Sequence, residues 1–151
     1  MDRPTSLDLL DAAIEDVAAM EYILLGDLRD LVDEPFDGVT LKWLKAVIDA
    51  LLETLSQEFA RQDDGDGYLQ EVVDSDPNWA HYVDRLAEER RAIFGKLRAL
   101  RLQLDGLRSL KTVVPALRSE LKGWMWSITA LHRHERRLLQ TAFNLDVGIG
   151  D

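Results

Sequence analysis

Carboxylates and imidazoles are the side chains of this sequence that could do chemistry, and their spacing decides which chemistry. Glu21, Glu58, Gln62, Glu89 and Glu135 fall at positions that three-four periodicity assigns to helix interiors. A carboxylate taken out of water needs an arginine, a hydrogen-bond donor, a metal or a path to solvent. Arg61, Arg85, Arg90 and Arg136 lie close enough in sequence to offer ordinary salt bridges. The histidines are His81, His132 and His134. A zincin pair needs two histidines four residues apart, and a ferritin-type di-iron bundle needs Glu-x-x-His on two helices. Neither pattern occurs, because the residues three before the histidines are Asn78, Thr129 and Leu131. His132 and His134, two apart, cannot share a helix face. All three histidines are therefore expected on the surface or rim.

Other chemistries find less support. An EF-hand loop with Gly67 at its sixth position has Asp64 and Asp66 in acceptable places. Gln62 then opens the loop and Val73 stands where the bidentate glutamate belongs, so Asp63 to Gly67 reads as a solvated link. Ser6, Ser56, Ser75, Ser109, Ser119 and Ser127 have no elbow glycines around them, and no phosphate-cradling glycine loop is present. Trp124 and Trp126 read as one buried and one rim aromatic, packing residues rather than base-stacking ones. With no cysteine, disulfides, thiolate metal sites and cysteine nucleophiles are excluded.

These side chains must be positioned by helices. Four long stretches carry apolar residues at helical spacing, and none alternates as a strand would. The first runs from about Ser6 to Asp33 through Leu10, Ile14, Val17, Glu21, Leu25, Leu28 and Val32, opened by Thr5 and Asp8 in capping-box spacing. Pro35, Asp37 and Gly38 break the chain. The second runs from about Thr40 to Gln62 through Leu44, Ile48, Leu51, Leu55 and Glu58. A short turn, Tyr68 to Val73, precedes Asp76-Pro77, an N-cap followed by a first-position proline. The third helix extends to about Leu104 with Leu86, Glu89, Ile93, Leu97 and Leu100 on one face, and Asp105-Gly106 ends it. The fourth begins near Thr112, tolerates Pro115 in its first turn, and reaches about Asn144 through Leu117, Leu121, Trp124, Ile128, Leu131, Glu135, Leu138 and Ala142. The glycine-containing tail from Asp146 is expected to leave the helix. Short links force antiparallel neighbours, so the expected fold is an all-α, up-down-up-down four-helix bundle, one domain over residues 1–151.

Composition bounds the partners. The chain has 151 residues, 46% of them hydrophobic, with 18 basic and 28 acidic side chains and a formal net charge of −10. A nucleic-acid binder needs a basic face to displace counterions, which this balance does not supply. No apolar run is long enough to span a membrane, and the acid-punctuated N-terminus has no apolar leader core, so no membrane association and a cytoplasmic location are expected. The acids are concentrated early: residues 1–80 hold 20 acidic and 5 basic side chains, residues 81–151 hold 8 and 13. If the halves pack together, that polarity favours the correct pairing of elements more than it adds bulk stability.

Three segments resemble the haemerythrin-like, or HHE cation-binding, domains. They are Leu51 to Gln62 on the second helix, Leu86-Ala87-Glu88-Glu89-Arg90 on the third, and Glu135 to Gly148 on the fourth. The resemblance covers roughly residues 10–151. It implies a four-helix bundle whose helices offer histidines and carboxylates to a non-haem di-iron centre. The ligands do not carry over. Where the family pattern wants histidine, this chain has Tyr22 (or Glu21), Glu58, Glu89 and Leu131, and the acid after the second-helix histidine is Gln62. Glu135 alone matches a ligand position by type. The resemblance thus implies a degenerate member: no cofactor, no catalytic residue, and a non-catalytic binding or interaction module with a protein partner or a second copy. The alternative is a carboxylate-rich bundle holding iron, manganese or zinc, since carboxylates suit hard cations.

Overall fold

The computed structural model describes residues 6–63, 68–106 and 110–150, and side chains within 16–62, 69–106 and 114–143. Five α-helices and one 3-10 turn account for almost all of them, with no strand among the described residues. The expected Thr5 cap, the acidic link Asp64 to Gly67 and its calcium reading lie outside the described residues.

α1 (Ser6–Asp33) ends before Pro35, and α2 (Gly38–Asp63) starts two residues earlier than its apolar pattern. The reason is Asp37, whose Oδ1 accepts the Thr40 backbone N–H at 2.8 Å and so caps the first turn. That hydrogen bond also holds the Asp37 carboxyl below the usual range. The expected turn after Tyr68 is instead an eight-residue helix, α3 (Tyr68–Ser75). Leu69 and Val72, three apart, are both buried, and α3 packs on α5 through so short an amphipathic face. Asp76 caps as expected, its Oδ1 accepting the Asn78 N–H at 3.0 Å, but the first turn is 3-10 (Pro77–Trp79) before α4 (Ala80–Asp105) begins.

α5 departs most from expectation. It begins at Leu110 rather than Thr112 and continues to Gly150 rather than stopping near Asn144. Pro115 therefore stands in the second turn, where its missing N–H leaves the Lys111 carbonyl without its helical donor. A glycine costs only about 1 kcal/mol relative to alanine inside a helix, so Gly148 and Gly150 are not enough to end one already propagating.

The long helices contact one another in the order α1–α2, α2–α4, α4–α5 and α5–α1. Side-chain pairs give three of these contacts their direction. Lys45 meets Asp105 and Asp49 meets Arg101, so α2 and α4 run oppositely. Trp124 donates its indole N–H to the Ile93 carbonyl at 2.9 Å while Lys96 meets Glu120, so α4 and α5 do too. Asp33 meets Lys122 and Glu21 meets His132, which makes α1 and α5 antiparallel. Asp49–Arg101, Asp33–Lys122 and Glu21–His132 thus set N-terminal acids against C-terminal bases, and Lys45–Asp105 has the opposite sense. Leu28, Leu44, Ile48, Leu51, Leu55, Leu97, Leu100, Leu121 and Ile128 fill the core, each buried leucine or isoleucine contributing about 1.5–3 kcal/mol. No helix among the described residues is long and apolar enough to cross a membrane.

Candidate metal centre

The apolar stripes carry their polar members inward at one level of the core. Glu21 comes from α1, Glu58 from α2 and His132 from α5, and one donor atom of each lies within 4.8 Å of the other two. His132 Nε2 is 2.9 Å from Glu21 Oε1 and 3.7 Å from Glu58 Oε1. Glu21 is 5% exposed. Next to this trio, α4 sends in Arg90, 2% exposed, whose Nη1 is 3.7 Å from Glu135 Oε1.

Helix geometry explains the convergence. Glu21 sits seven residues before Leu28 and Glu58 three after Leu55, both on the buried stripes. His132 follows Ile128 by four and precedes Glu135 by three, so it shares the edge of the face that those two define. His132 is thus half-buried at the rim, as expected, but its Nε2 turns in to two carboxylates that sequence reasoning did not assign to it. His134, two residues on, points elsewhere: its Nδ1 lies 3.0 and 3.2 Å from the two oxygens of Glu89, in an outer cleft between α4 and α5.

The other positions at which the family resemblance expects ligands separate accordingly. Tyr22 is 83% exposed, so Glu21 is the inward member of that pair. Leu131 is a fully buried core residue, and the imidazole comes from the next position. Glu89 belongs to the His134 pair rather than to the interior trio. Gln62 is half-buried and its Oε1 has no hydrogen-bond partner. The expected arginine pairing holds for Glu135 with Arg90, whereas Glu21 and Glu58 are met by a histidine.

Burial and proximity move the ionisations. Burial raises Glu58 to about 7, with the neighbouring Glu21 carboxylate adding to it against the pull of His132. Burial also raises Glu135 above the usual carboxylate range. For Glu21, burial pushes upward but is outweighed by the contacts to His132 and Glu58, and its pKa is lowered. Burial alone would lower His132; its two carboxylate neighbours raise it to about 10 instead. At neutral pH the trio therefore carries one carboxylate, a shared carboxyl and an imidazolium, close to charge balance.

The donor set also fits a divalent cation. Cis ligands about 2.1 Å from an octahedral ion stand about 3.0 Å apart, near the 2.9 Å between His132 and Glu21. Glu21 Oε1, Glu58 Oε2 and Glu135 Oε1 are buried without a hydrogen-bond partner, so the Glu21–His132 approach is a charge contact rather than an aligned hydrogen bond. Two carboxylates and a neutral imidazole would balance a +2 charge, a mixed set suited to manganese, iron(II) or zinc. No protein-family profile, curated protein or solved structure matches this chain.

Proposed function

We propose that this chain is an up-down-up-down four-helix bundle of the haemerythrin-like kind whose interior binds one divalent metal through Glu21, Glu58 and His132. The observation that carries the reading is the convergence of those three donors from three helices, with buried carboxylate oxygens left without hydrogen-bond partners. Glu21 and Glu58 would hold the ion through oxygen and His132 through Nε2. Bound there, the metal would supply Lewis-acid or one-electron chemistry. The protein's part is to bring two negative charges and one imidazole together and to release their protons when the ion enters. Glu135, neutralised by Arg90, keeps the charge beside the site from growing.

A second reading keeps the bundle and drops the metal: a non-catalytic interaction module in which protons hold the trio together. The raised His132 and Glu58 favour it, because the proton-loaded trio is already near neutral. Chelator-stripped protein melted with manganese, iron(II) or zinc separates the two. The metal reading expects a saturable rise in melting temperature, about 5–10 °C at a hundredfold excess over Kd, lost in His132→Gln and kept in Tyr22→Phe. Stoichiometric binding by equilibrium dialysis should accompany it. No shift beyond that of an unrelated acidic protein leaves the proton-held module.

A further inference from the structure

On the outer side of α4 and α5 lies a cleft of about 550 Å³, within the range of small-molecule sites. Leu86 and Leu138, both buried, contribute an apolar floor. Trp79 and Tyr82 form one wall, their ring centroids 5.6 Å apart and tilted by 51°, and half of Tyr82 remains open to solvent. Polar groups are few. Arg85 and Arg137 supply two guanidinium groups, and Thr141 and the Glu89–His134 pair complete the lining.

Charge and hydrogen bonding narrow what this cleft fits. Two arginines against one glutamate leave one positive charge in surplus, which matches a monoanion. A guanidinium fork binds a carboxylate through two parallel hydrogen bonds. The tilted aromatic wall and leucine floor offer a flat ring a face to pack on, and offer a bare inorganic ion nothing. Glu89 accepts from His134 Nδ1, which fixes the imidazole in its plane and leaves Nε2 outside that pair.

We propose that this cleft is a binding site for a small aromatic monocarboxylate, held by Arg85 and Arg137 at its charged end and packed on Trp79 and Tyr82. The site uses none of the interior donors Glu21, Glu58 and His132, so it stands or falls separately from the metal reading.

The test uses the full chain, 15N-labelled and kept in chelator, titrated with 4-hydroxybenzoate while the Trp79 indole N–H signal is followed. Trp79→Phe assigns that signal. A saturable shift is expected, with 4-hydroxybenzamide and acetate each binding at least about tenfold more weakly, as loss of a charge-assisted pair or of the ring contact requires. Arg85→Ala/Arg137→Ala should lose binding by a similar factor. Both arginines are exposed, so the double variant should keep the wild-type melt. Raising salt on the unaltered chain gives a second measure, because an arginine-held carboxylate weakens as charges are screened. Equal binding of the amide or of acetate, salt-insensitive binding, or a non-saturating shift overturns the proposal.

Discussion

Replacing Glu58 with glutamine removes one titration and little else, which makes it the sharpest probe of the interior. In the unfolded chain Glu58 loses its proton near 4.5, and in the fold near 7. Between those values unfolding releases a proton. Stability is therefore full below about 4.5, falls as pH rises towards 7 and levels off above it. From pH 5 to pH 8 the wild-type chain should lose about 2–3 kcal/mol through this group, a figure set by roughly two units of the window and trimmed for the carboxyl's partial contact with water. Glutamine resembles the protonated carboxyl and does not titrate. His132, whose own shift from 6.5 to about 10 makes stability fall over a higher window, titrates in both proteins. Glu21, the larger of the two carboxylate influences on His132, still raises it in the variant, so most of its contribution cancels in the comparison. Urea denaturation of chelator-treated Glu58→Gln and wild type at pH 5 and pH 8 should thus find the two equal at pH 5, with the variant ahead by about 2–3 kcal/mol at pH 8. Parallel pH curves would refute the raised carboxyl. A variant less stable at both pH values would refute the isosteric argument, and with it the geometry of the trio.

The metal reading adds a proton count: calorimetric titration of manganese or zinc at pH 7 in buffers of differing ionisation enthalpy should find between one and two protons released per ion, because His132 and about half of Glu58 are protonated there. Release of none would mean that the ion binds elsewhere. Leu55→Ala and Ile128→Ala should each cost about 2–5 kcal/mol in urea melts, whereas Tyr22→Ala should cost under about 0.5 kcal/mol, since the first two are fully buried and the tyrosine is exposed. Trp124→Phe should cost about 1–3 kcal/mol through the lost indole hydrogen bond and the smaller ring, and should remove the emission component that iodide cannot quench. Persistence of that component would mean that another tryptophan is the buried one.

Periodicity alone determined that this chain is helical and which faces are buried. Leu44, Ile48, Leu51 and Leu55 on one helix, and Leu117, Leu121, Trp124, Ile128 and Leu131 on another, follow the helical repeat so closely that burial could go only to one side, and all are buried. Asp76-Pro77 could likewise be read locally, because a cap acts within three residues. The inward placement of Glu21 and Glu58 was legible for the same reason. Their partner was not. His132 occupies the edge of a stripe, and an edge residue faces solvent or core according to which helix lies beside it. That is a fact about α1 and α2, some 75 to 110 residues away in the chain. The local signal that existed was His132 three residues before Glu135, the reverse of the Glu-x-x-His order sought. Similarly, nothing local announced α3: Leu69 and Val72 make a helix worth forming only because α5 covers them. Helix faces follow from the repeat of one backbone, whereas the ionisation of a carboxylate depends on what the neighbouring backbones bring to it, and only tertiary packing could set Glu58 beside Glu21 and an imidazolium between the two.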